Sequence, residues 1–583
     1  MKNINRALIC AMFSLWSFQA LSVDMIVHNA KIKTFEGERY SSFAIDDGVF
    51  IKLSNDDRSI LALHSDDTII IDAEGKRIIP GMNDSHTHVV RGGRFYNLET
   101  RWEGISTLSE GLKLIEKNAK VTPDGHWVRV IGGWSPYQFK EKRLPTPDEL
   151  TKAAPNTPVF VLHLYSGGVL NEKALEVLNI DKHSKAPKGS FYERDKSGKP
   201  TGRLVAAPNP MILYKTIGAL PHMTPEEQVN SSTNYYNKLL SLGMTSAVDA
   251  GGGGHTFPIN YHASTALATV GKLPMRISNF LFPQTPGEEL NDFMQWMSNY
   301  SDNQNLHLHL DNGYVIEGGG ELLAWKASDY ENFTAQRPDL HDDAEKELET
   351  VVRLHLLNSW PFRLHATYDE SIDRMLNVFE KINKTQPLNK VRWILDHAET
   401  ISDKNLSRVK ALDGMIAVQG RMAFAGEDFV ERYGKAQTKR TPPLKKMIEM
   451  GIPVALGTDG TRVSSFNPWP TYYWAVSGNT VGGTKIYEKE NRLNRLKALE
   501  LFTAGSAYLT GEESVKGQIK LGMYADFAIL DRDVLKVNEA DLLNTKSLFT
   551  VVGGKVKFAD KMAYPTFAIE QPKAIPDWSP VNQ

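Results

Sequence analysis

The sequence predicts an α/β protein: a (β/α)8 TIM-type barrel, a small β-sandwich domain formed by the N- and C-terminal segments, and an insertion after the first barrel strand. Three observations carry that expectation. Eight short apolar runs end in polar or turn residues, and several alternate with helical segments that stop at glycine. The two chain ends are instead rich in short β-branched runs cut by Asp-Gly and Glu-Gly turns. No G-x-G-x-x-G loop follows an early strand, as an open doubly wound sheet would require; "GGGG" at 251–254 lacks that spacing and suits a flexible active-site loop.

The elements follow in order. Residues 1–22 begin with Lys2 and Arg6, continue apolar, and end in small residues, the layout of a secretory signal peptide cleaved after Ser22. The expected protein is exported, periplasmic or extracellular, with no stable membrane insertion after cleavage. Cleavage removes Cys10, the only cysteine, so no thiolate remains to act as nucleophile or ligand. Residues 23–78 form the first part of the sandwich, 79–514 the barrel, and 515–583 the second part of the sandwich with a C-terminal tail. The insertion spans about 98–222 and holds the strand-like runs "WVRVIGGW" and "PVFVLHLY".

Within the barrel, the first strand ends in "DSHTH" and the second is "MTSAVDA". The third lies at 275–282, the fourth at "LHLHLDN" (306–312), the fifth at 361–367, the sixth at 391–398 and the seventh at 415–420. The eighth, "IPVALGTDG", ends at Asp459. The helix before the second strand begins with Thr224-Pro225-Glu226-Glu227, a capping residue followed by proline at the first helical position and glutamate at the third.

The net charge of −2 over 583 residues offers no broad basic field for nucleic acid or an anionic membrane. The expected partner is a small molecule, and homo-oligomerisation is left open. Functional groups in such barrels sit at the C-terminal ends of the strands. There the chain places His86 and His88 after the first strand, His365 after the fifth, His397 after the sixth and Asp459 after the eighth. Residues i and i+2 of a strand share a face, so both imidazoles of "HTH" aim at one point. Any one histidine at a strand end is more often a hydrogen-bonded structural residue. It is the combination of four histidines and a carboxylate around one axis that suits a divalent metal, most simply Zn2+. Such an ion polarises a carbonyl and makes hydroxide available at neutral pH. Asp459 then serves as general base, passing a proton to the leaving nitrogen. His309, in the fourth run, is a further candidate.

"IDAEGKRIIPGMNDSHTH", "RLHATYDESID", "WILDHAETIS", "VALGTDG" and "GQIKLGMYADFAILD" resemble the landmarks of the metal-dependent amidohydrolase superfamily, in its N-substituted formamide deformylase-like branch (amidohydrolase 3 type). The resemblance runs from about residue 24 to 560. It implies metal ligands at His86, His88, His365, His397 and Asp459, and a catalytic role for Asp459 and His397. Many members of the superfamily carry a bridging lysine at the end of the fourth strand. Here no lysine occurs there until Lys326, with Asp311 and Glu317 as the nearest alternatives. One ion is therefore expected rather than two, with His397 contacting the attacking water. Trp134, Glu317 and Trp469 are candidates for substrate contact: Trp134 among the aromatics of the insertion, Glu317 near the end of the fourth strand, and Trp469 in "SSFNPWPTYYW", which follows the eighth strand where loops build the pocket mouth.

The expected reaction is hydrolysis of a non-peptide C–N bond in an amide, N-substituted formamide or cyclic amide. The alternatives are deamination or ester hydrolysis on the same scaffold, or a catalytically silent exported binding protein.

Overall fold

The computed structural model describes residues 23–300, 313–337 and 339–583. The predicted signal peptide, and the "LHLHLDN" run with His309 and Asp311, lie outside the described residues. Eight parallel strands form one sheet in sequential order: β1 (Met82–Thr87), β2 (Met244–Asp249), β3 (Arg276–Leu281), β4 (Tyr314–Gly319), β5 (Phe362–Ala366), β6 (Trp393–His397), β7 (Met415–Gln419) and β8 (Val454–Gly457).

Seven strands fall where the sequence places them. The fourth does not: it is "YVIEGG", which pairs with β3 from Ile277↔Tyr314 to Leu281↔Gly319. The alternating apolar run at 306–312 had the stronger strand pattern, whereas the true strand is short and runs into glycines. That correction moves the end of the fourth strand onto a different acid, as described below.

The ring closes beyond β8. Asp459 N–H donates to the His86 carbonyl (2.8 Å) and His88 N–H to the Gly460 carbonyl (2.9 Å). Asp84 ties the same seam, accepting from Thr458 N–H (2.9 Å) and His86 N–H (3.1 Å). Gly457 allows that approach, because a Cβ there would stand 2.6 Å from the His86 nitrogen and 2.8 Å from Asp84 Oδ1. Gly457→Ala is expected to destabilise the fold by about 1–3 kcal/mol, the usual scale for an overpacked core. Calorimetry would read this as a lowered Tm.

Val248, Phe280, Ile394, Met415, Ala417 and Ala455 fill the lumen, joined by Leu509 from the helix Ala504–Leu509. Above them Arg363, fully buried, lies over the Phe280 ring and pairs with Asp396 (Nε–Oδ2 2.8 Å). This layer separates the apolar plug from the polar mouth.

The helix Pro225–Leu240 has the predicted capping box. Thr224 Oγ1 accepts from Glu227 N–H (3.3 Å), and Glu227 accepts from Thr224 N–H (2.7 Å). Such caps contribute about 1 kcal/mol.

Residues 25–72 form a sheet in which Met25–His28 pairs with Ser42–Asp46 on one side and Ile69–Asp72 on the other. A second sheet joins Ile78–Pro80 to Phe527–Leu530, Ser547–Val552 and Lys555–Ala559. One apolar core from both chain ends fills the space between the sheets, with Phe43 edge-on to Phe527 at 5.0 Å. The insertion holds a five-stranded sheet between Val128 and Ala206. Among the described residues, no helix is long and apolar enough to cross a membrane.

Candidate metal centre

His86 occupies the fifth position of β1, and His88 stands one residue past its end, opening the helix Val89–Phe95. Their rings face at 5.4 Å, so the i, i+2 geometry delivers both into the mouth. His365 lies in β5, His397 closes β6, and Asp459 stands two residues beyond β8. The His86 and His397 rings are 5.0 Å apart, and those of His365 and His397 are 4.3 Å apart. All four imidazoles and the Asp459 carboxylate thus converge, although they come from four separate regions of the chain. His397 (φ +79°), Ala398 (φ +53°) and Asp459 (φ +57°) hold left-handed backbone that non-glycine residues adopt at a cost. The strain falls where side chains must turn into the mouth.

The sixth member of the cluster was missed from sequence. Glu321, two residues past β4, places Oε2 3.6 Å from His86 Nε2, 3.2 Å from His365 Nδ1 and 3.3 Å from His397 Nε2. Its Oε1 lies 3.6 Å from His88 Nε2. The loop "GGGELL" brings it in by close packing: a Cβ on Gly320 would stand 2.6 Å from the Ala250 carbonyl oxygen. An acid directly after three glycines was the available signal.

Three sets of ligand atoms gather within 4.8 Å: His86, His88 and Glu321; His86, His397 and Asp459; Glu321, His365 and His397. Glu321 belongs to two of them. A divalent cation fits this donor set on a further observation: His86 Nε2 is buried and has no hydrogen-bond partner, while facing Glu321 and Asp459. Buried polar atoms are rarely left so. The other nitrogen, Nδ1, lies 3.0 Å from Asp396, whose carboxylate fixes the ring as a carboxylate commonly fixes a ligating imidazole. Glu321 supplies an acid just past the fourth strand, where the sequence offers no lysine.

The acids and imidazoles hold one another charged: against burial, the charges of Asp396 and Glu321 raise His86 to about 10, and hydrogen bonds with Glu321 and Glu331 raise His365 well above the usual imidazole range. Burial alone would raise the pKa of Asp459, but the nearby His86 and His88 imidazoles, the latter hydrogen-bonded to it, and the charge of Arg421 hold it well below the usual carboxylate range. Glu321 is likewise held low against its burial by the charge of His86 and hydrogen bonds with His365 and His397. Burial, then the charges of Arg421 and His365, push His397 down to about 4, which keeps it neutral and able to ligate.

Arg421, on the helix after β7, binds Glu399 (2.9 Å), Glu331 (3.1 Å) and Asp459 Oδ2 (2.9 Å). It fixes one Asp459 oxygen and leaves Oδ1 facing His88 Nε2 at 3.0 Å. Glu331 also meets His365 Nε2 at 3.1 Å. A cavity partly open to solvent lies above; Tyr165, Tyr214, Phe282, Leu322 and Tyr330 supply its apolar wall.

The three expected substrate contacts lie elsewhere. Trp134 is in the core of the insertion against Trp102 (4.8 Å), and its indole N–H donates to the Leu162 carbonyl. Trp469 begins the buried helix Pro468–Ser477 and donates to the Leu242 carbonyl. Glu317 sits within β4, where burial, then the charge of Glu512, push it up to about 7. Proximity in sequence to the eighth strand did not place Trp469 at the mouth, and Trp134 stays within the insertion; both N–H groups are satisfied by main chain, as in cores.

Comparison with known proteins agrees with the architecture. Residues 70–558 match the model of the Amidohydrolase family. The chain is 24% identical to N-substituted formamide deformylase of Arthrobacter pascens over 549 residues, 92% of this chain and 98% of that one. An uncharacterized metal-dependent hydrolase from Pyrococcus horikoshii superposes with TM-score 0.61 at 23% identity, covering 88% of this chain and 99% of that one. An adenosine deaminase from Xanthomonas campestris with bound zinc superposes with TM-score 0.51 at 11% identity, covering 95% and 96%.

Proposed function

The chain belongs to the amidohydrolase family, and we propose that it is a metal-dependent hydrolase of small molecules that cleaves a C–N bond other than a peptide bond. The carrying observation is Glu321, whose carboxylate lies within 3.6 Å of all four histidines. We assign two ions, most simply zinc. His86, His88 and Asp459 would hold one, His365 and His397 the other, and Glu321 both. Ions so held supply Lewis acidity toward a carbonyl oxygen and lower the pKa of water.

The chain's own groups do the rest. Asp459, with Oδ2 anchored by Arg421, presents Oδ1 as the base that takes a proton from the attacking water. As the C–N bond breaks, that proton passes to the leaving nitrogen, so acid and amine form with no other reactant. Asp396 and Arg363 orient His86 from below, and the aromatic wall excludes water from the acyl part of the substrate. A silent binding protein would gain nothing from six buried ionisable groups gathered at one point, an arrangement costly without a function.

The test is a panel of N-acyl amides, N-substituted formamides, cyclic amides, aryl esters and amino-heterocycles, with and without chelator. Chelator-sensitive release of amine from an amide, lost in His86→Ala, is expected. Turnover confined to esters or amino-heterocycles would assign a different leaving group, and activity indifferent to chelator would refute the metal-dependent reading.

A further inference from the structure

We propose that the substrate of this site is an anion: an N-acyl compound whose carboxylate is bound by Arg91, with Arg462 reinforcing the charge behind it. The proposal rests on the hydrolase assigned above and names its substrate class. Arg91 stands three residues past His88 on the helix Val89–Phe95 and lines the same cavity as Glu321 and Asp459. It is 5% exposed, and its Nε is buried with no hydrogen-bond partner. Arg462, also 5% exposed, lies over the Tyr214 ring at 5.0 Å and leaves Nη1 unpartnered. Tyr214 lines the same cavity as Arg91, so the two guanidiniums share one neighbourhood, and burial, then the charge of Arg91, lower the pKa of Arg462.

The arginines at the metal centre are matched, whereas Arg94 and Arg129, buried but outside the cavity lining, rest on the neutral acceptors Gln228 and the Pro221 carbonyl. Arg421 has three carboxylates and Arg363 has Asp396. Glu99, the acid that feels both Arg91 and Arg462, is committed to Arg101. Across the cavity Arg91 feels Asp459 and Glu321, the two carboxylates assigned to the ions. Among the described residues, neither Arg91 nor Arg462 has an ion-pair partner of its own. Buried charges are normally paired, and a planar guanidinium fork with free donors matches a carboxylate. Tyr165 and Tyr214, stacked at 5.7 Å with their hydroxyls 3.1 Å apart, complete that end of the cavity. The ligand thus spans from the metal centre, where its C–N bond lies, to a cationic end.

The experiment uses the zinc-reconstituted full chain and a matched pair, an N-acylglycine and the corresponding N-acylglycinamide. The acid is expected to have a kcat/KM on the order of 100-fold higher, as removal of a charge-assisted contact implies. Arg91→Gln should bring the ratio to within about threefold of unity, and Arg91→Lys should keep part of the preference because it keeps the charge. Equal turnover of acid and amide, or a ratio unmoved by Arg91→Gln, overturns the proposal. If neither compound is cleaved, calorimetry with benzoate and benzamide decides, while the hydrolase assignment stands or falls separately on the wider substrate panel. Benzoate binding that weakens about tenfold or more in Arg91→Gln supports the anion site; binding equal in both chains overturns it.

Discussion

Glu321→Ala is expected to lower kcat/KM on the order of 1,000-fold, about 4 kcal/mol of transition-state stabilisation. The reason is geometric. Among the described residues, Glu321 is the one carboxylate within reach of all four imidazoles, so its loss removes a donor from both halves of the proposed centre. Glu321→Gln should behave almost as badly, because an amide keeps the shape but not the negative charge. Steady-state kinetics on the best amide substrate would measure both, with far-UV circular dichroism checking that the barrel persists. Activity within tenfold of wild type in Glu321→Ala would remove this residue from the mechanism.

Asp459→Asn is the second large effect, an expected 100- to 10,000-fold fall in kcat, the usual range for loss of a general base. Arg421 retains Glu331 and Glu399 in that variant, so its guanidinium stays paired and the local fold should hold. His365, His397 and Glu321 are untouched, so metal content should fall by less than in Glu321→Ala. Kinetics paired with metal analysis separates the two roles. A fall in metal without a fall in kcat per bound ion would make Asp459 a ligand only.

Much of this site could be read from the chain because β-strand geometry is local. The "HTH" spacing puts two imidazoles on one face, and His365, His397 and Asp459 lie at or just past apolar runs that look like strands. The capped helix at Thr224 was equally legible, since its signals sit within four residues. What failed depended on tertiary context. Alternating "LHLHLDN" outscored the short "YVIEGG", which drew attention to Asp311 and Glu317 and away from Glu321. Glu321 is delivered by a loop whose path is set by packing of Gly320 against Ala250, a contact between residues 70 positions apart. Trp469 was drawn to the pocket by sequence neighbourhood and Trp134 by its aromatic character, yet each ends in a core with its N–H on a main-chain carbonyl. The aromatic wall of the cavity comes from residues that the sequence did not single out: Tyr165, Tyr214, Phe282 and Tyr330. Arg91, Arg363 and Arg421 were invisible for the same reason, because a buried arginine looks like a surface one until its partners are placed.

The central claim is a two-ion centre organised by Glu321. Its most direct test is the metal content of the purified, zinc-reconstituted chain after exhaustive dialysis, measured by mass spectrometry beside Glu321→Ala. Two equivalents per chain are predicted, falling to one or fewer in the variant. A single equivalent in the native chain, or a content that Glu321→Ala leaves unchanged, would contradict the account.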